Sequence, residues 1–214
     1  MARPEPNKSC HNRHTIPAVF SWQAKRRIGI LGGSFNPAHD GHLSLSETAR
    51  QKARLDEIWW LVSPQNPLKQ TDDMAMFDKR LANARALAQY RPWLRVLAIE
   101  ELSGTTNTID SLRFIIRHAP RSRFVWLMGT DNLVQFPHWH KARELSRLLP
   151  FLVVRRQGSF YQATASYGRQ LFGPHSRKRN LSSLASAQPP ALAIAPDFIH
   201  NLSATDLRKK GLWP

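Results

Sequence analysis

The sequence predicts an α/β protein built on a doubly wound parallel sheet, and three observations carry that reading. Apolar runs of the kind that make buried strands recur along the chain from Arg27 onward. Segments with helical periodicity fall between them, and strands alternating with helices through right-handed crossovers give a parallel sheet covered on both faces. The loops starting at Gly32, Ser63, Glu100, Gly129 and Arg155 would all converge at the carboxyl ends of the strands, where such sheets bind ligands.

Taken in order, the first run is Ile28-Gly29-Ile30-Leu31, closed by Gly32 and Gly33, where the backbone can turn sharply or lie close to a ligand. A polar loop with Ser34, Asn36, Pro37, His39 and Asp40 follows, then Gly41-His42 and a helix from Leu43. Strand, glycine turn and helix in that order bring free backbone N–H groups and the positive end of a helix to one point, which suits an anion. His39 and His42 add donors that can face a phosphate. The second strand, residues 57–62, ends in Ser63-Pro64-Gln65-Asn66-Pro67, whose two prolines exclude a helix. Residues 77–90 read as a helix with Phe77, Leu81, Ala84 and Ala88 on one face, and residues 95–99 as the third strand. A loop spans 100–107, and a helix spans 108–118 with Thr108 as N-cap and Leu112, Ile115 and Ile116 inward. The fourth strand, 123–128, runs straight into Gly129-Thr130-Asp131. Helices are expected from Asn132 and over 138–148, strands over 151–154 and 191–195. Residues 156–190 break the rhythm and read as a long, basic, mobile insertion.

The 214 residues therefore divide into a basic, flexible N-terminal tail, 1–26, and a single domain, 27–214, carrying the insertion. Hydrophobic content of 42% is ordinary, and no run approaches the roughly 18 apolar residues a membrane span needs. The N-terminus lacks the apolar centre of a secretory signal. Cys10 is the single cysteine, so no intramolecular disulfide can form and a reducing cytoplasm fits. The net charge of +16 is concentrated: residues 1–27 hold six Lys or Arg against one acid, and 155–179 hold six with none. Such blocks read as solvated tails or loops, with nucleic-acid binding as the sharper alternative, and a basic surface also steers polyphosphates.

Several chemistries are excluded by motif. There is no G-x-x-x-x-G-K-[ST] loop, and glycines 29, 32 and 33 do not make G-x-G-x-x-G. His39 and His42 lack a third ligand at a recognised spacing, so no protein-held metal is expected. His138 and His140 read as solvated or capping residues, and the adjacent acid pairs Glu100-Glu101 and Asp72-Asp73 point apart.

The run GGSFNPAHDGH resembles the signature of the nucleotidyltransferase superfamily, a glycine pair followed by H-x-G-H. Leu202-Ser203-Ala204-Thr205-Asp206-Leu207-Arg208 is similar to its second signature, I-S-S-T-x-I-R, with Leu202 for Ile and Ala204 for the middle Ser. Three middle stretches narrow the resemblance to the nicotinate-nucleotide adenylyltransferases. Ser63 to Lys69 is similar to that family's P-x-x-x-P-x-K loop, with Leu68 where histidine is common. Gly104 to Leu112 resembles its G-x-x-Y-T-x-D-T-L segment, with Asn107 in place of tyrosine. Gly129 through Trp139 resembles its G-A/T-D-x-L…W segment. The likeness covers 27–157 and 191–211, leaving out the tail and the basic insertion.

The resemblance implies a Rossmann-like nucleotidyltransferase fold and transfer of AMP from ATP to nicotinate mononucleotide, giving deamido-NAD and pyrophosphate. It implies ATP contacts at Gly32, Gly33, Ser34, Phe35, His39, His42, Ser203, Thr205 and Arg208, with His39, His42, Lys69 and Arg208 acting on the phosphates. Thr108, Ile109, Asp131 and Trp139 would bind the nicotinate nucleotide, Trp139 by packing against the pyridine ring. Mg²⁺ would be carried mainly by the ATP phosphates. Neither membrane nor nucleic acid is expected as a partner. The competing readings are an adenylyltransferase for the amide mononucleotide or phosphopantetheine, and an RNA-binding protein using the basic surface.

Overall fold

The computed structural model describes residues 25–64, 74–98, 107–155, 167–173, 180–195, 204–209, 211 and 213. Six strands form one sheet: β1 (Arg27–Gly33), β2 (Glu57–Val62), β3 (Leu94–Leu97), β4 (Arg123–Gly129), β5 (Phe151–Val154) and β6 (Leu192–Ala195). Their spatial order is β3-β2-β1-β4-β5-β6, and every pairing is parallel. The winding reverses between β1 and β4, so the C-terminal ends of those two strands flank the crevice of a doubly wound sheet.

Successive strand side chains alternate between two apolar layers. Leu31, Ile58, Trp60, Val62, Val125 and Leu127 pack on one face with Leu43, Leu45 and Ala49 of α1 (Asp40–Lys52) and Leu81, Ala84 and Ala88 of α2 (Phe77–Ala88). Ile28, Ile30, Trp59, Phe124, Trp126 and Met128 pack on the other with Ile109, Leu112 and Ile115 of α3 (Thr108–His118). Strands covered on both faces must be apolar at nearly every position, and this is why the runs in the sequence are continuous.

The structure moves several boundaries. Gly32 and Gly33 are not the turn after β1; both pair with β2, opposite Leu61 and Val62, and the chain turns beyond them. Helix α1 starts at Asp40 and not Leu43, because the His39 side chain caps it. The N-cap of α3 is Asn107, and Thr108 is its first helical residue. Of the expected helix over 138–148 only Ala142–Ser146 is helical. Ahead of it α4 (Thr130–Gln135) passes into a 3-10 turn, Phe136–His138, which holds Pro137. Trp139 is then extended, at φ −74° and ψ 146°, and Lys141 takes a left-handed φ of 52° before α5 (Ala142–Ser146). A left-handed residue cannot continue a right-handed helix, so Trp139 sits in a connection.

The described parts of the 156–190 segment pack against the sheet domain. Phe172, just after α6 (Tyr167–Gln170), is 2% exposed beside Phe136 and Phe151, and Leu184 in the 3-10 turn Leu181–Ser186 is fully buried. The chain closes with α7 (Ala204–Lys209). No helix among the described residues is long and apolar enough to cross a membrane.

Candidate active site

At the end of β1 the chain turns through Ser34-Phe35-Asn36-Pro37, with Phe35 in the left-handed region at φ 45°. That conformation is uncommon for a bulky residue. Phe35 is held in it by packing: its ring is 1% exposed, stacked on Trp60 at 4.9 Å and tilted against His42 at 4.8 Å. Gly32 is required for a different reason. A Cβ there would lie 2.5 Å from Cη2 of Trp126, whose indole crosses β1.

His39 and His42 form a reciprocal cap at the start of α1. Nδ1 of His39 accepts the Gly41 N–H at 3.0 Å, and Nδ1 of His42 accepts the His39 N–H at 3.2 Å. An imidazole that accepts at Nδ1 carries its proton at Nε2 when neutral. The local fold thus sets one tautomer for both rings and makes Nε2 the donor end of each. The rings lie 4.0 Å apart, and Ser46 steadies α1 below them by accepting Trp60 Nε1–H at 2.8 Å while donating to the His42 carbonyl at 2.8 Å. Two N–H donors at the positive end of a helix suit an anion.

Two residues outside the expected set brace the turn. Arg80 is 1% exposed inside α2 and spreads its guanidinium over four carbonyls. Nη1 donates to Ser34 at 2.5 Å and Ser63 at 2.7 Å, Nη2 to Pro64 at 2.6 Å, and Nε to Ala75 at 2.9 Å. Asn36, 6% exposed, accepts at Oδ1 from the Ala75 N–H at 3.2 Å and from Trp213 Nε1–H at 2.8 Å. Its main-chain oxygen accepts from Arg208 Nη1 at 2.6 Å, so α7 is docked on the same turn. The sequence did carry a signal for Arg80: it occupies a core position, between Phe77, Leu81 and Ala84, on the apolar stripe of α2.

A profile of the cytidylyltransferase-like family matches residues 30–210. A protein of Parvibaculum lavamentivorans described as a probable nicotinate-nucleotide adenylyltransferase is 42% identical over 188 residues, covering 87% of this chain and 93% of that protein. One of the same description from Methylorubrum extorquens is 41% identical over 192 residues, covering 86% of this chain and all of that protein. The chain belongs to the nicotinate-nucleotide adenylyltransferase family. In fold it is similar to the Plasmodium falciparum nicotinic acid mononucleotide adenylyltransferase complexed with NaAD, with a TM-score of 0.62 at 18% identity over 86% of this chain and 83% of that one.

The two stretches that resemble the superfamily signatures, at opposite ends of the chain, meet through Arg208 and Asn36. Of the remaining expected ATP contacts, Ser34 is 8% exposed and its carbonyl is taken by Arg80. Lys69 and Ser203 lie outside the described residues, and Thr205 is a position in α7. The expected nicotinate contacts all follow the C-terminal ends of β3 and β4. Thr108 opens α3, and the Ile109 side chain is core at 1% exposure, leaving only its amide for a ligand. Asp131 is exposed at the second position of α4, with its carboxylate folded over Gly129, where a Cβ would sit 2.5 Å from Oδ1. Trp139 is half-buried, edge-on to Trp126 at 6.0 Å and to Phe136 at 5.6 Å. Buried Glu57 is structural. At the opposite end of the sheet it accepts from Trp59 Nε1–H at 2.9 Å and pairs with Arg95 and Arg26.

Proposed function

We propose that the crevice between β1 and β4 aligns the phosphate of nicotinate mononucleotide with the α-phosphorus of ATP. A phosphate oxygen of the mononucleotide forms a bond to that phosphorus. The bond to the bridging oxygen breaks, pyrophosphate leaves, and deamido-NAD remains. The attacking phosphate is already anionic near neutral pH, its second pKa being about 6, so no strong base is needed. What the reaction needs is alignment of two anions and stabilisation of charge on the triphosphate. The observation that carries this reading is the histidine pair at the start of α1, its Nε2 atoms made donors by the reciprocal cap.

In this scheme His39 and His42 hold the phosphates around the reacting phosphorus, helped by backbone N–H groups near Ser34 and Phe35, with Gly32 and Gly33 letting the nucleotide approach β1. Lys69, Ser203, Thr205 and Arg208 hold the outgoing pyrophosphate. Arg208 is supported in that place by its bond to Asn36. Thr108 and the Ile109 amide, at the positive end of α3, take the nicotinate carboxylate. Trp139 packs on the pyridine ring, and Asp131 contacts the nucleotide.

Mg²⁺ is the cofactor this chemistry uses, and it would neutralise phosphate charge. Among the described residues no three His, Cys, Asp or Glu group together, and rings that donate from Nε2 are not the oxygen ligands Mg²⁺ takes. The ion would be carried mainly by the ATP phosphates. Pyrophosphate release from ATP, measured with the acid and amide mononucleotides in turn, tests the substrate assignment; preference for the amide would overturn the role given to Thr108 and Ile109.

A further inference from the structure

We infer that Arg80 is a positioning residue for the adenylyl-transfer reaction: it aims the Phe35 N–H at the phosphates by gripping the other end of the same peptide group. The inference rests on the function proposed above. The Ser34–Phe35 peptide is planar and trans, so its C=O and N–H point in opposite directions. Arg80 Nη1 holds the Ser34 oxygen at 2.5 Å, on the side of α2. The Phe35 N–H is thereby turned away from α2. It meets no acceptor among the described residues, although Phe35 is 1% exposed. A buried amide proton without an acceptor costs free energy, and buried amides are almost always paired, so this one fits a donor held for a ligand.

The guanidinium also strengthens that donor. A cation on a carbonyl oxygen draws electron density through the amide and makes its N–H more positive. The same charge grips Ser63 and Pro64, where the loop leading to Lys69 begins, and Ala75 at the entry to α2. One buried cation thus ties the loops after β1 and β2 into a single rim. Lysine could keep the charge but not four separate bonds, because it lacks the planar fork.

The test has two arms. In the first, the wild-type protein is labelled with ¹⁵N and titrated with Mg²⁺-ATP, which carries the α-phosphate that the Phe35 N–H is assigned to. The Phe35 amide resonance should move downfield on binding, and a Phe35 amide that stays in place overturns the inference. In the second, Arg80→Lys and Arg80→Gln are assayed with thermal unfolding followed in parallel. The expected result for both is a fall in kcat of about 10- to 100-fold, the scale for a weakened transition-state donor, with the KM for nicotinate mononucleotide within about twofold. Arg80→Lys should lose less than Arg80→Gln. A folded Arg80→Lys protein with wild-type kcat overturns the inference while leaving the proposed function intact. A wild-type protein that releases no pyrophosphate from ATP and nicotinate mononucleotide fails the function itself. If both variants unfold, the titration decides alone.

Discussion

Arg208 Nη1 donates to the main-chain oxygen of Asn36 at 2.6 Å, across 172 residues of sequence. The contact docks the C-terminal helix on the turn that precedes the histidine pair, and Trp213 adds a second bond to the same asparagine at 2.8 Å. Removing the guanidinium should therefore loosen the docking of this helix, and with it the pyrophosphate contact of the proposed function, while leaving the sheet untouched. Arg208→Ala is expected to lower kcat/KM for ATP by about 100-fold and Arg208→Lys by less, since lysine keeps the charge without the fork. Steady-state kinetics with ATP varied at saturating nicotinate mononucleotide check this.

The two histidines cap α1 and, in the proposed function, bind phosphate, and one substitution can separate those roles. Asparagine is among the best N-cap residues, so His39→Asn should keep the helix start while removing the Nε2 donor. Its stability should stay within about 0.5 kcal/mol of wild type, whereas His39→Ala should lose about 1 kcal/mol. Both should fall at least about tenfold in kcat. Urea unfolding alongside turnover distinguishes capping from catalysis.

Trp139 presents a half-buried ring held edge-on by Trp126 and Phe136. Trp139→Ala is expected to raise the KM for nicotinate mononucleotide by about tenfold, the scale of a lost stacking contact, with little change in the KM for ATP. Equal changes in both constants would remove Trp139 from the pyridine site.

The Arg27 side chain, hydrogen-bonded to Asp56 at 2.8 Å, holds the Asp56 carboxyl below its ordinary range. A lowered folded-state value means that the contribution to stability is present above the unfolded value, about 3.9, and disappears as the pH falls through the folded one. The pair is largely exposed, so solvent screening limits it to about 0.2–1 kcal/mol. Asp56→Asn should lose that much at pH 7 and should begin to converge with wild type as the pH falls below about 4, where Asp56 starts to protonate. Unfolding curves across pH test the sign.

Helix α1 ends in a turn with Leu55 N–H on the Arg50 carbonyl at 2.9 Å and exposed Arg54 at φ 50°, the place glycine usually takes. Arg54→Gly should stabilise the protein by about 0.5 kcal/mol, the left-handed penalty of about 1–2 kcal/mol outweighing the added chain entropy. Turnover should not change.

Most of the fold was legible in the sequence because continuous apolar runs such as Ile58-Trp59-Trp60-Leu61-Val62 of β2 have one physical explanation in a wound sheet, burial on both faces. The histidine pair at the start of α1 was legible as a feature because a glycine pair closes an apolar run ahead of it and a helical segment follows. The role of Arg80 was hidden, since four carbonyls from the connections after β1 and β2 become its partners only after folding. The connection around Trp139 was misread as helix because its composition is helical. What breaks it is a left-handed Lys141, a conformation that no residue type announces.

Attack on the α-phosphorus of ATP by nicotinate mononucleotide can be followed directly by isotopic labelling. With ATP carrying ³²P at the α position, the label should appear in a dinucleotide of the mass of deamido-NAD, in amounts that match the pyrophosphate released, and should appear far more slowly with the amide mononucleotide or phosphopantetheine. Label recovered as free AMP, or transferred to phosphopantetheine in preference, would contradict it.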